Sequence, residues 1–292
     1  MPSEIELIEA IRDEPDRVET WLVYADQLLE RGERAGELIA TSHRGSARDF
    51  GLKLKKYLSQ PDAQQLYAAL KRGVVETTMH MGHWSVIATP PGRAVATDDD
   101  RDAAADAIVS MLQRPLGRFV RELRVWHARA VSAQLVGVAV EQHGQALRVV
   151  RIGAHEPWNG GGVLSAPRLR EASLRNVREV GLIAHAGLEV LELETAPARS
   201  ISEVVTSLRC PRLRALTLNG PWPEPWSGDV QLPALTSLAI EPTSAAIHTA
   251  AALTVASQLT DLKFTAPLIS PATETLERLR PMFSPRLRLH KV

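Results

Sequence analysis

The sequence predicts an α/β fold in which short strands stack side by side, joined by variable returns and preceded by a small helical segment. Three observations predict it. The tetrapeptide Pro-Arg-Leu-Arg occurs at 167–170, 211–214 and 285–288. Apolar residues around it fall at offsets one, four and six, a frame that fits seven times between residues 120 and 264. The first forty residues instead space their apolar side chains for helices.

The frame reads Val120, Leu123, Val125; Leu147, Val150, Ile152; Leu169, Ala172, Leu174; Leu188, Leu191, Leu193; Leu213, Leu216, Leu218; Leu235, Leu238, Ile240; and Leu259, Leu262, Phe264. Its starts are 27, 22, 19, 25, 22 and 24 residues apart, the spacing of a repeat built from one supersecondary unit. Such a strand turns alternate residues inward and cannot bury its apolar face alone, so the units must stack. The prolines suit a strand entry, where no backbone N–H is needed.

Between strands, residues 131–143, 200–209 and 270–280 read as short helices led by Ser132, Ser200 and Ser270 as N-caps. Residues 153–166 carry too much Gly and Pro for a helix and read as an irregular loop.

With its L-x-x-L-x-L core, the frame resembles the leucine-rich repeat. That resemblance implies a solenoid with a parallel sheet on its concave face. Two departures stand out. The ninth position, where many such repeats place Asn, holds Ala128, His155, Val177, Ala196, Pro221, Thr243 and Pro267. The final Pro-Arg-Leu-Arg begins a clipped strand that serves as a cap.

In front, Ile5, Ile8 and Ile11, then Leu22, Ala25, Leu28 and Leu29, lie at helical spacing around a turn at Glu14-Pro15-Asp16, with a second break bounded by Gly32 and Gly36. Ala10-Ile11, Pro15, Leu22-Val23-Tyr24-Ala25-Asp26, Leu28, Glu30-Arg31-Gly32 and Gly36-Glu37-Leu38-Ile39 resemble the repeat-companion domain that precedes many myxobacterial and planctomycete leucine-rich-repeat proteins. Gln27 stands where that pattern has Trp. The resemblance implies architecture and no chemistry. Residues 46–100 then bridge, with Val75, Thr77, Met79 and Met81 alternating as a first strand and 89–102 as an exposed loop before a helix at 103–112. The expected division is 1–45 helical domain, 46–100 bridge, 101–292 array.

Lys plus Arg equals Asp plus Glu at 34 each, so no global field draws the chain to nucleic acid or an acidic membrane. A single Cys210 excludes an intramolecular disulfide and points to a reducing compartment, the cytoplasm. The start lacks a signal-peptide pattern, and no run of about 18 apolar residues occurs, so no membrane partner is expected.

Candidate chemistry is sparse. His80 and His83 offer two imidazoles where a zinc site needs three or four ligands. Asp98-Asp99-Asp100 lacks the glycine and terminal Glu of a calcium loop and reads as a helix start. Gly160-Gly161-Gly162 has no phosphate-loop context, and Cys210 beside a proline reads as packing. No catalytic set, metal or cofactor is expected.

Trp84, Trp126, Trp158, Trp222 and Trp226 fall at or just after predicted strands, as anchors for a partner or as loop packing against the sheet end. Positions three and five of each frame point away from the leucines: Glu122 and Arg124, Val149 and Arg151, Glu171 and Ser173, Val190 and Glu192, Ala215 and Thr217, Ser237 and Ala239, Asp261 and Lys263. That mixed, weakly polar face suits a protein partner. The expected binding set is the five tryptophans with Arg124, Arg151, Glu192 and Lys263, in a non-enzymatic interaction module. The alternatives are an enzyme or nucleic-acid-related factor using His80, His83, Trp126 and His127, or a structural subunit of a bacterial assembly such as a defence system.

Overall fold

The computed structural model describes residues 2–44, 47–58, 64–80, 83–88, 97–226, 230–256 and 258–290. The protein is α/β with mostly parallel strands. Its chain divides into two compact units, one of residues 1–126 with 142–147 and one of 127–141 with 148–292.

In the first unit, α1 (Glu4–Asp13) opens on a capping box: the Ser3 hydroxyl accepts the Glu6 N–H, and the Glu6 carboxylate accepts the Ser3 N–H at 2.7 Å. The turn at Glu14-Pro15-Asp16 leads to α2 (Val18–Glu30). The buried stripes are Leu7, Ile8, Ile11 and Trp21, Tyr24, Ala25, Leu28. Ile5 and Leu29, assigned to the apolar faces by spacing, are exposed.

Gly32 ends α2 at φ +75°, with the Glu33 N–H donating to the Leu28 carbonyl at 2.8 Å. Gly36 does not bound a break. It lies inside α3 (Ala35–Arg44), because a Cβ there would strike the Ala25 carbonyl, so the glycine permits close packing on α2.

The bridge contains α4 (Ala47–Leu58), α5 (Gln64–Arg72) and an antiparallel hairpin, β1 (Val75–His80) and β2 (His83–Ala88). Met81 and residues 89–96 of the expected loop lie outside the described residues. α6 (Asp98–Leu112) begins with a Thr97–Asp100 capping box and three acids in its first turn, which complement the helix dipole. β3 (Val120–Ala128) runs parallel to β2, setting Val86 beside Leu123 and Ala88 beside Val125.

The second unit contains most of α7 (Ala130–His143) and, in its main sheet, seven strands: β4 (Val149–Asn159), β5 (Glu171–Glu179), β7 (Val190–Thr195), β9 (Ala215–Asn219), β11 (Ser237–Ile240), β12 (Asp261–Phe264) and β13 (Arg288–His290). They pair in that order, all parallel. Register aligns Val150, Ala172, Leu191, Leu216, Leu238 and Leu262 in one buried row, and Ile152, Leu174, Leu193, Leu218, Ile240 and Phe264 in the next. Frame positions one, four and six are buried in all seven copies. Burying each Val, Leu, Ile or Phe among them stabilises by roughly 1.5–3 kcal/mol relative to leaving it exposed.

Why Pro-Arg-Leu-Arg recurs is visible in the backbone. The proline is not at the strand entry but at the second position of a tight turn, whose first carbonyl accepts the leucine N–H: Ala166 to Leu169 at 3.2 Å, Cys210 to Leu213 at 3.0 Å, Leu232 to Leu235 at 3.1 Å, Ser284 to Leu287 at 2.9 Å. Its fixed φ suits that position.

The next residue lends its carbonyl to two successive N–H groups of the following unit. Arg148 O accepts Arg170 and Glu171, Arg170 O accepts Glu189 and Val190, Glu189 O accepts Arg214 and Ala215, and Arg214 O accepts Thr236 and Ser237. Each strand thereby sets the start of the next.

At position eight His127 (φ +56°), Asn176 (φ +59°) and Gly220 (φ +143°) adopt positive φ; the first two lie inside β3 and β5, and Gly220 directly follows β9. No asparagine occupies position nine, but Asn176, one place earlier, donates from Nδ2 to the carbonyls of Ala154 and His155 at 3.3 and 2.8 Å.

The returns differ from expectation in several places. Residues 153–166 continue β4 to Asn159 and then form a 3-10 turn at Gly161–Ser165. Ser200 caps only one turn, α8 (Ile201–Val204). The chain then extends as β8 (Val205–Arg209), which pairs in a second small parallel sheet with β6 (Gly181–Ala184) and β10 (Val230–Gln231). The β-branched run Val204-Val205-Thr206 favours that extension.

Ser132 lies buried within α7, whose first N–H, at Ala130, is accepted by Glu156 at 3.4 Å. Ser270 is the first residue of α10 (Ser270–Leu279), with Ile269 as cap. α9 (Ser244–Ala256) completes the helices. Among the described residues no helix is long and apolar enough to cross a membrane.

Candidate interaction surface

On the solvent side of the second unit's sheet, register sets two rows across the strands. One is Val149, Glu171, Val190, Ala215, Ser237, Asp261, Arg288; the next is Arg151, Ser173, Glu192, Thr217, Ala239, Lys263, His290. Two residues further on, Gly153 lies beside Arg175 and Glu194 beside Asn219.

Toward β4–β7 most charges are paired with one another, Glu194 most loosely. Arg151 pairs with Glu171 at 3.5 Å. Glu192 accepts the Ser173 hydroxyl at 2.9 Å and Arg175 at 3.0 Å, and Arg175 Nε lies 3.9 Å from Glu194.

β9 and β11 present the small side chains Ala215, Thr217, Ser237 and Ala239. Beyond them Lys263 is exposed and has no ion pair among the described residues. Asp261 is held below the usual carboxylate range, first by the Thr260 hydroxyl (2.8 Å) and then by His290 (3.2 Å).

The expected tryptophans are mostly not on this surface. Trp84, Trp158 and Trp222 are only 2, 2 and 5% exposed. The extension of β4 carries Trp158 inward, where its Nε1 donates to the Arg175 carbonyl at 2.9 Å. Trp84 faces the buried side of β2. A docking role for these three is corrected to packing. Trp126 and Trp226 are half-buried, and the Trp226 backbone N–H donates to Thr249 of α9 at 2.9 Å. Arg124, in the first unit, is held by Glu122, which also accepts the Ser85 hydroxyl at 2.9 Å.

The histidines do not assemble one centre. His83 packs edge-on against Trp21 (5.0 Å between ring centres), in a cluster where Phe119 meets Trp21 and Tyr24 at 4.7 and 5.4 Å. The His80 side chain lies outside the described residues. His127 stacks on His155 at 5.0 Å. Among the described residues no group of three or more His, Cys, Asp or Glu is arranged to hold a metal ion. Cys210 is buried, and burial pushes its thiol pKa up, which suppresses the reactive thiolate.

Sequence counting stopped at position five and therefore missed Arg175, Glu194 and Asn219. The signal was the same alternation carried two residues further. No protein-family model, curated protein or solved structure matches the chain.

Proposed function

We propose that this chain is a leucine-rich-repeat module of the cytoplasm, preceded by a repeat-companion domain, that acts without catalysis by holding another protein on the solvent face of its parallel sheet. One observation carries the reading. Parallel sheets are ordinarily covered on both faces and read as continuous apolar strands. Here one face is leucine-filled, and the other bears charged, small and partly exposed side chains from Arg151 through Glu192 to Lys263. A face of that size, set on a rigid ladder and mixed in charge, suits a folded partner whose polar groups match it. The ion pairs on it serve to hold side chains in place, the preorganisation that lowers the ordering cost of association.

The test blocks the floor of the face. Thr217→Arg with Ala239→Arg places two long side chains on β9 and β11 while leaving the buried rows untouched. The expected result is loss of a partner captured by the unaltered full-length chain and then reconstituted from purified components, with the variant's thermal midpoint within a few degrees of the parent. A reconstituted complex of unchanged affinity overturns the reading.

A further inference from the structure

We infer that the occupant of this face is an α-helix of the partner, lying along β9 and β11 with basic side chains toward β7 and acidic ones toward β12. The inference rests on the reading of this face as a protein-binding surface and adds the kind of segment it takes.

Width decides between a helix and an extended segment. Between the acids of β7 and Lys263 of β12 lie two strands bearing only Ala, Thr and Ser in the first two rows, with Asn219 following on β9. At about 4.8 Å per strand the charged rows are about 14 Å apart. A helix with its side chains is about 10–12 Å across and fills that gap, whereas a single extended chain leaves most of it empty. Extended segments are taken at sheet edges, where backbone groups are open, rather than on faces.

Charge sets the orientation. On the β7 side Glu192 is already held by Ser173 and Arg175, while Glu194 is the loosely held acid, its contact with Arg175 being long, at 3.9 Å. The β12 side offers Lys263, exposed and without an ion pair among the described residues. A lysine or arginine on one flank of a helix and a glutamate or aspartate on the other meet both demands at once.

The experiment uses the full-length chain, immobilised, and a displayed peptide library. Half of its members vary flank positions on a fixed alanine-rich helix, and half vary the same residues on a Gly/Ser backbone. Enriched clones are retested as peptides by fluorescence anisotropy against the parent, Thr217→Arg, and the reversal Glu194→Lys with Lys263→Glu. Ala239→Arg serves as a second block if Thr217→Arg fails to fold.

The expected outcome is that clones sensitive to the block are helical with opposite charges on their two flanks. They lose roughly tenfold in affinity on the reversal and regain it when the peptide's flanks are exchanged. Block-sensitive clones from the Gly/Ser half, or clones indifferent to the reversal, overturn the helix inference and leave the protein-binding face standing. A second copy of the chain on the face, seen as a dimer by sedimentation velocity that Thr217→Arg dissolves, also overturns it. If no clone responds to either block, both the inference and the reading beneath it fall.

Discussion

The first unit and the second solve the same problem, hiding one apolar face, by different means. The first uses few large side chains: Trp21, Tyr24 and Phe119 meet ring to ring, and Trp21 Nε1 is satisfied by the Pro15 carbonyl at 2.8 Å. The second uses many equivalent medium ones, leucines repeated in two buried rows and tied by shared carbonyls. A core resting on few irreplaceable contacts concentrates its energy. A core of equivalent rows spreads it and makes backbone geometry at the turns the sensitive point.

Three substitutions break or sharpen that contrast. Trp21→Ala is expected to have the largest effect, about 3–5 kcal/mol of destabilisation, because it empties the aromatic cluster and orphans the Pro15 carbonyl. Denaturant unfolding measures it, with loss of hydrogen-exchange protection in α1 and α2. A cost under about 1 kcal/mol would show that the first unit does not depend on this ring.

Gly220→Ala is expected to cost about 2 kcal/mol. It puts a side chain at φ +143° and drives a Cβ into the Thr195 hydroxyl. Adding Thr195→Ala should recover part of the loss, since it removes the hydroxyl and methyl and leaves the backbone strain with one tight contact to the remaining Cβ. No recovery in that double-mutant cycle would place the whole cost in φ.

Glu4→Gln is the smallest, under about 1 kcal/mol, as expected of a partly exposed ion pair. Glu4 is held below its ordinary value of 4.5, chiefly by the Arg31 hydrogen bond at 2.7 Å and also by Arg118. A depressed folded pKa stabilises above the unfolded value and loses that contribution as pH falls through the folded one. The stability gap between parent and variant should therefore be full near neutrality and close as pH drops below about 4.5. A gap that stays constant down to pH 3 would remove the charge explanation. Nearby Tyr24, pushed up to about 12 mainly by burial, stays neutral throughout.

What the sequence made legible follows from the same contrast. The frame of Leu169, Ala172, Leu174 and its six counterparts could be read because a buried row imposes the same demand on every copy. The capping acids at Asp98–Asp100 could be read because they act locally. Residues 181–184 and 205–209 could not, because their strand state comes from pairing Ile183 with Leu208, a contact no local pattern announces.

Proximity to a strand end did not reveal which way Trp84, Trp158 and Trp222 would turn. For Trp158 the answer depended on β4 running seven residues past the frame, to Asn159. Gly36 was misread as punctuation because its reason for being glycine lies on another helix.

The doubly used carbonyl at the second position of each unit has a consequence for how such a chain can grow. From the start at Leu147 to that at Leu259 the spacing varies from 19 to 25 residues, yet each start after the first is fixed by one acceptor in its predecessor. A duplicated segment spliced between two turns would find its own footing, while loss of a single residue between turn and strand would turn that strand's leucines to the wrong side. Length is thus inherited in whole steps.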